Sequence, residues 1–309
     1  TGNRAKHAGS YMAYAASDNP NYTTGDSNGT PWTIAKKDIE VSAPSATYQY
    51  DGKYKYFTVA YMGFETADLL ALKKSDFAIS SNYNVYVTFE RAEPENDRFV
   101  LTFKAIDAKN YTLSLLTTFE NYNIKTTTYS FTITPRKIEF TWDYLGGFVY
   151  SKTPYSVQPI FTNLCQRDDT GLVDTTEAVL SDNVKTNAGS YTAKLLGVTN
   201  PNYYVESTDN TLVWEIKKRT LSITWDNTPF TFNAADQRKT PIAANLCEGD
   251  SVTFSTGVDV LENGTFKTTV SSVNAGAYRM RVISIGGSSA SNYALPEDVY
   301  FEYTIAPRK

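Results

Sequence analysis

The residue types that most often carry out enzymatic chemistry are scarce in this chain of 309 residues. It contains one histidine, His7, and two cysteines, Cys165 and Cys247. Acid–base and nucleophilic catalysis need a base held against a positioned partner, and no motif supplies one here. His7 precedes Ala-Gly-Ser-Tyr, where later copies of the segment carry Asn187 and Asn274. We therefore predict that His7 is a surface turn residue and that the chain has no catalytic residue and no cofactor.

Both cysteines follow Asn-Leu at matching places in two repeats, at 163–165 and 245–247. Matching positions of successive modules are usually too far apart for the short Cα separation of a disulfide. We expect no disulfide and two small buried side chains. Acidic loops at 17–29 and 167–174 offer oxygen ligands, but neither has the spacing of an EF-hand. We expect solvated turns and no metal site, with calcium binding by one loop as the alternative.

Tyrosine is abundant, with 23 residues, and five of these lie in the segment 47–61. Exposed aromatic rings stack on sugars or fill pockets of a protein partner. The first two of the five align with aromatic residues of later repeats, which indicates core packing. Tyr54 and Tyr56 have no aromatic counterpart in the last repeat. Tyr54, Tyr56 and Tyr61 are therefore the residues predicted to bind a ligand if the chain has a ligand site, and packing in the sheet or core is the interpretation that we favour.

The candidate residues lie within a sequence repeat that occurs four times in the chain. Each copy ends in an alternating strand followed by basic residues. An Asn-Tyr pair precedes the isoleucine of that strand by 11 to 13 residues. A near-constant offset predicts tandem modules. The isoleucines are Ile34, Ile133, Ile216 and Ile305, and the tyrosines are Tyr22, Tyr122, Tyr203 and Tyr293.

The repeat divides the chain into 1–37, 38–136, 137–218 and 219–309. The last three segments are complete modules, whereas 1–37 carries only the back half of one. Half a sandwich cannot bury its inner face, so either the missing half lies upstream or these strands pack on a neighbouring module. Module 38–136 departs from the others because it lacks the Gly-Tyr segment. Its residues 65–77 predict a short helix as an insertion.

Each module is predicted to be all-β, because its segments are short, alternate apolar with polar residues, and end at Gly, Pro, Asn or Asp. Asp51-Gly52 predicts a hairpin turn, since both residues tolerate positive φ. About seven strands per module indicate an immunoglobulin-like sandwich. We predict tandem immunoglobulin-like β-sandwich modules arranged as an extended rod. The basic residues at each boundary are predicted to be solvated linkers.

The order of a Gly-Ser-Tyr strand, an Asn-Tyr turn and the closing strand TLVWEIKKR at 211–219 resembles the MBG-type and YDG-type immunoglobulin-like repeats of bacterial surface proteins. YDGK at 50–53 is similar to the front-strand motif of that group. The resemblance covers essentially the whole chain and is clearest in 137–218. It implies a secreted, cell-surface protein used in adhesion or as a stalk, without shared catalytic residues.

Composition narrows the remaining classes of function. A net charge of −4 argues against nucleic-acid binding, and no apolar run approaches the length that spans a membrane. We expect an extracellular location, with signal and anchor segments outside this chain. The predicted function is a non-catalytic, monomeric adhesin stalk or adhesive region whose partner is a host or matrix glycan or protein. The alternative is a carbohydrate- or protein-binding module centred on 38–136, which could be accessory to a larger secreted enzyme.

Overall fold

The computed structural model describes residues 2–22, 28–83, 87–208 and 210–309. They are almost entirely β-structure and separate into two compact units. The module 137–218 contributes segments to both units, so the predicted module boundaries stay a prediction. Unit 1 comprises 1–139, 162–177 and 198–206, and unit 2 comprises 140–161, 178–197 and 207–309.

The N-terminal half module is an antiparallel ribbon of β1 (Gly9–Ala13) and β2 (Thr30–Ile34). Tyr11 faces Trp32 across the ribbon, with their ring centroids 4.9 Å apart. Both side chains are only half-buried. In the described part of unit 1 no further strand pairs with β1 or with β2, so both edges of this ribbon are open.

Module 38–136 is a sandwich of two sheets. Its strands are β3 (Lys37–Ser42), β4 (Ala46–Gln49), β5 (Lys55–Met62), β6 (Ile79–Ser81), β7 (Thr88–Glu95), β8 (Arg98–Ala105), β9 (Asn110–Leu115), β10 (Tyr122–Ile124) and β11 (Thr128–Thr134). One sheet has the order β10-β3-β5-β8-β7 and the other β4-β11-β9-β6. Their inner faces meet where Phe57 stacks on Phe131, with centroids 5.0 Å apart, which places the core between the sheets.

The helical insertion is confirmed as α1 (Thr66–Ala71), which a 3₁₀ turn at Lys74–Asp76 follows. The predicted hairpin at Asp51-Gly52 is wrong. The strands on either side, β4 and β5, belong to different sheets, so the turn crosses from one sheet to the other. Gly52 does have a positive φ of 78°, and a Cβ there would meet the carbonyl oxygen of Gln166. The sequence Asp51-Gly52 thus predicted the turn correctly, but a turn does not specify which strands pair.

Module 137–218 has short strands. They are β12 (Arg136–Lys137), β13 (Phe140–Trp142), β14 (Tyr155–Ser156), β15 (Pro159–Phe161), β16 (Ala178–Ser181), β17 (Val184–Lys185), β18 (Gly189–Val198), β19 (Tyr203–Tyr204) and β20 (Thr211–Ile216). In unit 1, β12 pairs in parallel with β19. In unit 2, β13 pairs with β15, β14 pairs with β17, and β18 lies between β16 and β20. Trp214 of β20 lies at the centre of their core.

Module 219–309 lies entirely in unit 2. Its strands are β21 (Arg219–Thr220), β22 (Ile223–Trp225), β23 (Phe230–Thr231), β24 (Pro241–Ala243), β25 (Thr253–Glu262), β26 (Thr265–Thr269), β27 (Gly276–Gly286), β28 (Tyr293–Ala294) and β29 (Tyr300–Ala306). The main sheet has the order β23-β29-β27-β25-β26, and β21 pairs with β28 and β22 with β24. Buried Met280 and Ile305 lie in its core.

A tyrosine corner recurs in all four copies of the repeat. In each, a tyrosine hydroxyl donates to the backbone carbonyl four residues upstream, which is a hallmark of immunoglobulin-like sandwiches. The segment 107–111 therefore replaces the Gly-Tyr segment in module 38–136. The all-β prediction is confirmed, and the tyrosine corners fit the predicted immunoglobulin-like sandwiches, whereas the tandem arrangement and the rod stay predictions. The pairs are Tyr11 with His7, Tyr111 with Asp107, Tyr191 with Asn187, and Tyr278 with Asn274, at 2.6, 2.8, 2.7 and 2.9 Å.

Candidate functional site

Arg308 and Lys309 follow β29 and are exposed, as predicted. At the three internal boundaries the basic side chains are exposed or half-buried, but the prediction of linkers is wrong there, because Lys37, Arg136 and Arg219 are parts of strands. Each begins a strand that pairs in parallel with the Asn-Tyr strand of the module it opens. The strand is favoured because the next apolar position, occupied by Ile39, Ile138 or Leu221, is buried in that module. Each internal boundary is therefore an ordered contact between two modules, which we call a junction. The paired residues are Lys37 with Tyr122, Arg136 with Tyr203, and Arg219 with Tyr293.

In unit 1, the junction is centred on Asp174. The hydroxyl of Tyr203 accepts the backbone N–H of Cys165 at 2.7 Å and donates to Asp174 Oδ2 at 2.7 Å. The hydroxyl of Tyr50 donates to the same oxygen at 2.6 Å. The two rings meet edge to face, with centroids 5.5 Å apart at 79°. Two tyrosines thus converge on one buried carboxylate.

In unit 2, the same arrangement is centred on Asp250. Tyr293 accepts the backbone N–H of Cys247 at 2.8 Å and donates to Asp250 Oδ2 at 2.7 Å. Tyr150 donates to that oxygen at 2.8 Å. The rings of Tyr150 and Tyr293 again lie 5.5 Å apart, at 78°. The repetition of distances and angles shows that the junction is a conserved element of the repeat within this chain.

The protonation states of these groups follow from burial and hydrogen bonding. Burial, followed by the hydrogen bond to Asp250, raises the pKa of Tyr150 to about 12. Burial of Asp250 opposes ionisation, but hydrogen bonds from Tyr293, Tyr150 and Lys152 lower its pKa below the ordinary value. Burial likewise raises the pKa of Tyr50. At neutral pH the hydroxyls of Tyr150 and Tyr50 therefore keep their protons, which suits them to fixed hydrogen bonds rather than to proton transfer.

The unit 1 junction also holds a charged pair. Asn202 accepts the backbone N–H of Ala108 through Oδ1 at 2.7 Å and donates to Asp107 Oδ1 at 3.1 Å. Arg167 Nη1 donates to the same Asp107 oxygen at 2.8 Å. A hydrogen bond to Asp169 is the main cause that raises the pKa of Arg167, and the bond to Asp107 adds to it. The buried carboxylate of Asp107 is thus compensated by a fixed cation.

The unit 2 junction uses neutral groups at the equivalent position. Asn292 accepts the backbone N–H of Ala188 through Oδ1 at 2.9 Å and donates to Asn187 Oδ1 at 3.3 Å. The nearby cation is Lys152, whose Nζ lies 3.1 Å from Asp250 Oδ1 and whose side chain is 44% exposed. Asn187 occupies the place of Asp107, so this junction needs no buried cation beside it.

The N-terminal junction of unit 1 is incomplete. Tyr122 accepts the backbone N–H of Glu65 at 3.2 Å and donates to Asp68 Oδ2 at 2.5 Å, so α1 supplies the carboxylate here. Asn121 accepts the backbone N–H of Ala8 at 2.9 Å. The side chain of His7 is 51% exposed at a bend, which confirms it as a surface turn residue. In the described part of the chain, no second tyrosine reaches Asp68.

Of the three tyrosines predicted to bind a ligand, Tyr61 is excluded by the structure. It is 0% exposed, and its hydroxyl contacts that of Tyr129 at 3.0 Å in the core of module 38–136. Tyr61 lies on the inward side of β5, so it cannot reach a ligand. Tyr54 is half-buried beneath Lys104 Nζ, which lies 4.8 Å from the ring centroid. Tyr56 is 51% exposed, and the roles of Tyr54 and Tyr56 stay predictions.

The acidic loop 167–174 contains carboxylates that already have partners. In the loop 167–174, Asp168 pairs with Lys53 Nζ at 2.9 Å and Asp169 pairs with Arg167. The loop 17–29 includes 23–27, which lie outside the described residues. Among the residues that the structure describes, no group of three or more His, Cys, Asp or Glu side chains is placed to hold a metal ion.

Cys165 is buried, Cys247 is half-buried, and both thiols are free. What matters at the junctions is the backbone N–H of each cysteine, which donates to a tyrosine hydroxyl. None of the helices in the described part of the chain is long and apolar enough to cross a membrane.

No protein-family model and no curated protein matches this chain. Similar solved structures include the Yersinia pseudotuberculosis adhesin InvE, at 10% identity over 86% of this chain and 58% of that chain, with a TM-score of 0.29. The Escherichia coli adhesin FdeC matches at 11% identity over 88% and 97%, with a TM-score of 0.31. The titin tandem I9–I11 matches at 11% identity over 87% and 98%, with a TM-score of 0.24. Likenesses this distant say nothing about what the chain binds.

Proposed function

We propose that this chain is a non-catalytic tandem-repeat region of a bacterial cell-surface or secreted protein, and that it acts as an adhesin stalk or adhesive region. Membership of the MBG-type and YDG-type repeats is part of this proposal. The observation that carries it is the repeated tyrosine–aspartate–tyrosine junction. Buried hydrogen bonds at each junction hold one module in a fixed orientation against the next. A stalk needs such fixed contacts, because it must keep the parts of the protein at its two ends apart.

Packing at the junction of unit 2 supports the same function. One core cluster contains Trp214 and Val157 of module 137–218 together with Tyr293 and Leu221 of module 219–309, and Tyr150 lies within it. A continuous apolar core resists bending more than a solvated linker does, because bending exposes apolar area to water. The fully satisfied hydroxyls on Asp250 additionally favour one orientation of the contact.

Two measurements test the stalk. Antibodies raised against the chain are expected to label intact cells of the source organism, and external protease is expected to remove the label. Label that appears only after lysis would contradict a surface location.

Small-angle X-ray scattering of the purified chain tests the rod. We expect a monomer whose maximum dimension falls when Asp174 and Asp250 are both changed to Ala in a chain that keeps its circular dichroism spectrum. An unchanged dimension would argue against the junctions as its cause.

A second candidate function is ligand binding by module 38–136, either for adhesion or as an accessory to a larger secreted enzyme. The exposure of Tyr56 on β5 favours it, because an exposed ring on the surface of a sheet can stack on a sugar or a protein surface. The test is a binding screen of the full chain against glycans, mucins and matrix proteins. Binding should fall at least tenfold in the variant with Tyr54→Ser and Tyr56→Ser.

The matched control for that screen is Tyr300→Ser, since Tyr300 is also 51% exposed but lies in module 219–309. Equal losses in both variants would mean that aromatic content, rather than a site on 38–136, carries the binding. No binding by the folded chain to any of these classes would leave the stalk as the remaining function.

A further inference from the structure

The half module at the N-terminus has an unused sheet edge. On one side, β2 pairs with β1, and in the described residues nothing pairs with its other side. Ile34 at the end of β2 is only half-buried, whereas the equivalent Ile133, Ile216 and Ile305 are each at most 1% exposed. An open strand edge with apolar residues beside it is a template for another strand.

The three complete modules show what occupies this edge. In each, a front segment lies parallel to the closing strand, with an aromatic residue opposite the isoleucine where both belong to paired strands: Tyr48 faces Ile133 and Phe230 faces Ile305. A second aromatic residue follows two positions after the first one. Its backbone N–H donates to the carbonyl oxygen of the residue that follows the isoleucine. These bonds join Tyr50 to Thr134, Tyr150 to Lys217, and Phe232 to Ala306, each at 2.9 Å.

Ala35 is the equivalent of Thr134, Lys217 and Ala306, because it follows Ile34 as they follow their isoleucines. In module 137–218, both backbone groups of this position are used: Lys217 donates to Phe148 and accepts from Tyr150, each at 2.9 Å. The described backbone contacts include none for Ala35. Two hydrogen bonds are therefore available to an incoming strand.

A second observation indicates the side chain that this strand carries. Asp174 and Asp250 each accept two tyrosine hydroxyls, one from the Asn-Tyr strand and one from the front segment of the preceding module. Asp68 accepts the hydroxyl of Tyr122 alone among the described tyrosines. Beside it is a cleft of about 400 Å³, lined by Ile34, Ala35, Lys37, Asp68 and Tyr122 among others. The cleft lies between the open edge and the half-used carboxylate.

We propose that the open edge of β2 binds an extended polypeptide strand of sequence aromatic-x-tyrosine, in parallel. The first aromatic residue lies opposite Ile34, and the tyrosine forms backbone hydrogen bonds with Ala35. Its ring fills the cleft edge to face with Tyr122, and its hydroxyl donates to Asp68. The occupant is thus a front strand of this repeat type provided by a segment other than the described ones. The binding does not depend on an adhesive or a stalk role.

The test supplies the strand. Residues 45–53, SATYQYDGK, are fused to the N-terminus of the full chain through a flexible linker of about 20 glycines and serines, which gives an effective concentration in the millimolar range. Hydrogen exchange then measures the protection of 30–36. We expect protection to rise at least tenfold over a fusion that carries the same nine residues in scrambled order. Equal protection in the two fusions would overturn the proposal.

The role of Asp68 is tested by a double-mutant cycle. Changing the second tyrosine of the fused strand to Phe removes only its hydroxyl, and Asp68→Asn weakens the acceptor. We expect each change to lower the protection of 30–36 severalfold, and the combined effect to be smaller than the product of the two. Independent effects would place the hydroxyl elsewhere. Self-association of the unfused chain that protects 30–36 would instead identify a second copy as the occupant and overturn the proposal.

Discussion

The junctions of unit 1 and unit 2 share their tyrosine geometry and differ in the charges beside it. Both place two tyrosines on one oxygen of an aspartate, with ring centroids 5.5 Å apart. Next to them, unit 1 has Asp107 bonded to Arg167, whereas unit 2 has Asn187 bonded to Asn292. The tyrosine–aspartate geometry is therefore the constant element, and the neighbouring pair is free to vary as long as it is satisfied.

The loop between each cysteine and its aspartate shows how the charged version is accommodated. The aspartate is nine residues after Cys165 in unit 1 but three after Cys247 in unit 2. The longer loop carries Arg167, whose side chain is only 16% exposed. A buried carboxylate without a cation is strongly unfavourable, so Asp107 and the inserted arginine belong together. The neutral amides of unit 2 require no such insertion.

The largest effect is expected from Arg167→Ala. It leaves Asp107 buried without its cation, and breaking a buried pair in this way costs about 3 kcal/mol. Hydrogen exchange should show the loss at 105–112 and 163–175 in unit 1, with protection in unit 2 unchanged. The companion variant is Lys152→Ala. Lys152 is 44% exposed, and Asp250 keeps two tyrosine hydroxyls as donors when the lysine is removed, so this loss should cost only about 1 kcal/mol. Equal costs would refute the distinction between a charged and a neutral junction.

A smaller effect is expected from removing one hydroxyl at each junction. Tyr50→Phe and Tyr150→Phe each delete a hydrogen bond to a carboxylate and should cost about 2 kcal/mol. Tyr50→Phe also removes the acceptor of a long hydrogen bond from Arg167 Nη1, at 3.3 Å, which adds little. Because the two geometries match, the costs should agree within about 0.5 kcal/mol when local unfolding is measured by hydrogen exchange. A large difference between them would show that the charges beside the tyrosines, and not the shared geometry, determine the strength of the contact.

Much of the fold could be predicted from the sequence because the same strand motifs occur four times in the chain. The constant offset from the Asn-Tyr pair to the closing isoleucine indicated the strands correctly, and the aligned aromatic residues were assigned to the core. The pairing of strands was less accessible. Alternation around Asp51-Gly52 fits a hairpin as well as a crossing between sheets, since both leave the same faces buried.

The junction residues were missed for a related reason. Asp174 and Asp250 stand at different distances from their cysteines, so no fixed spacing marked them. The basic residues at the internal boundaries were assigned to linkers because charged side chains are usually solvated, yet a solvated side chain leaves the backbone free to form the parallel pairing seen here. Tyr61 was grouped with its neighbours by composition, although its odd-numbered position on β5 matches that of buried Phe57 and Val59. Alternation along the strand, which places Phe57, Val59 and Tyr61 on the same face of β5, could have predicted that Tyr61 is buried.

A still smaller effect should distinguish the tyrosine corners beside the two junctions. Tyr111 and Tyr191 donate to the carbonyls of Asp107 and Asn187, the two residues in which the junctions differ. Tyr111 is 0% exposed, whereas the bond of Tyr191 is partly open to water. Tyr111→Phe should therefore cost about 1 kcal/mol and Tyr191→Phe about half of that. Urea denaturation of the two variants measures the difference, and the reverse order would contradict burial as its cause.

The finest test is the pH dependence at the unit 2 junction. The folded pKa of Tyr150 is raised to about 12, whereas an unfolded tyrosine titrates near 10. Between these values the unfolded chain loses a proton that the folded chain keeps, so the free energy of unfolding falls as pH rises. Tyr150→Phe removes this proton, and its urea midpoint should decline less steeply between pH 10 and 12. A parallel decline would mean that Tyr150 ionises equally in both states and that its hydrogen bond to Asp250 does not hold the proton.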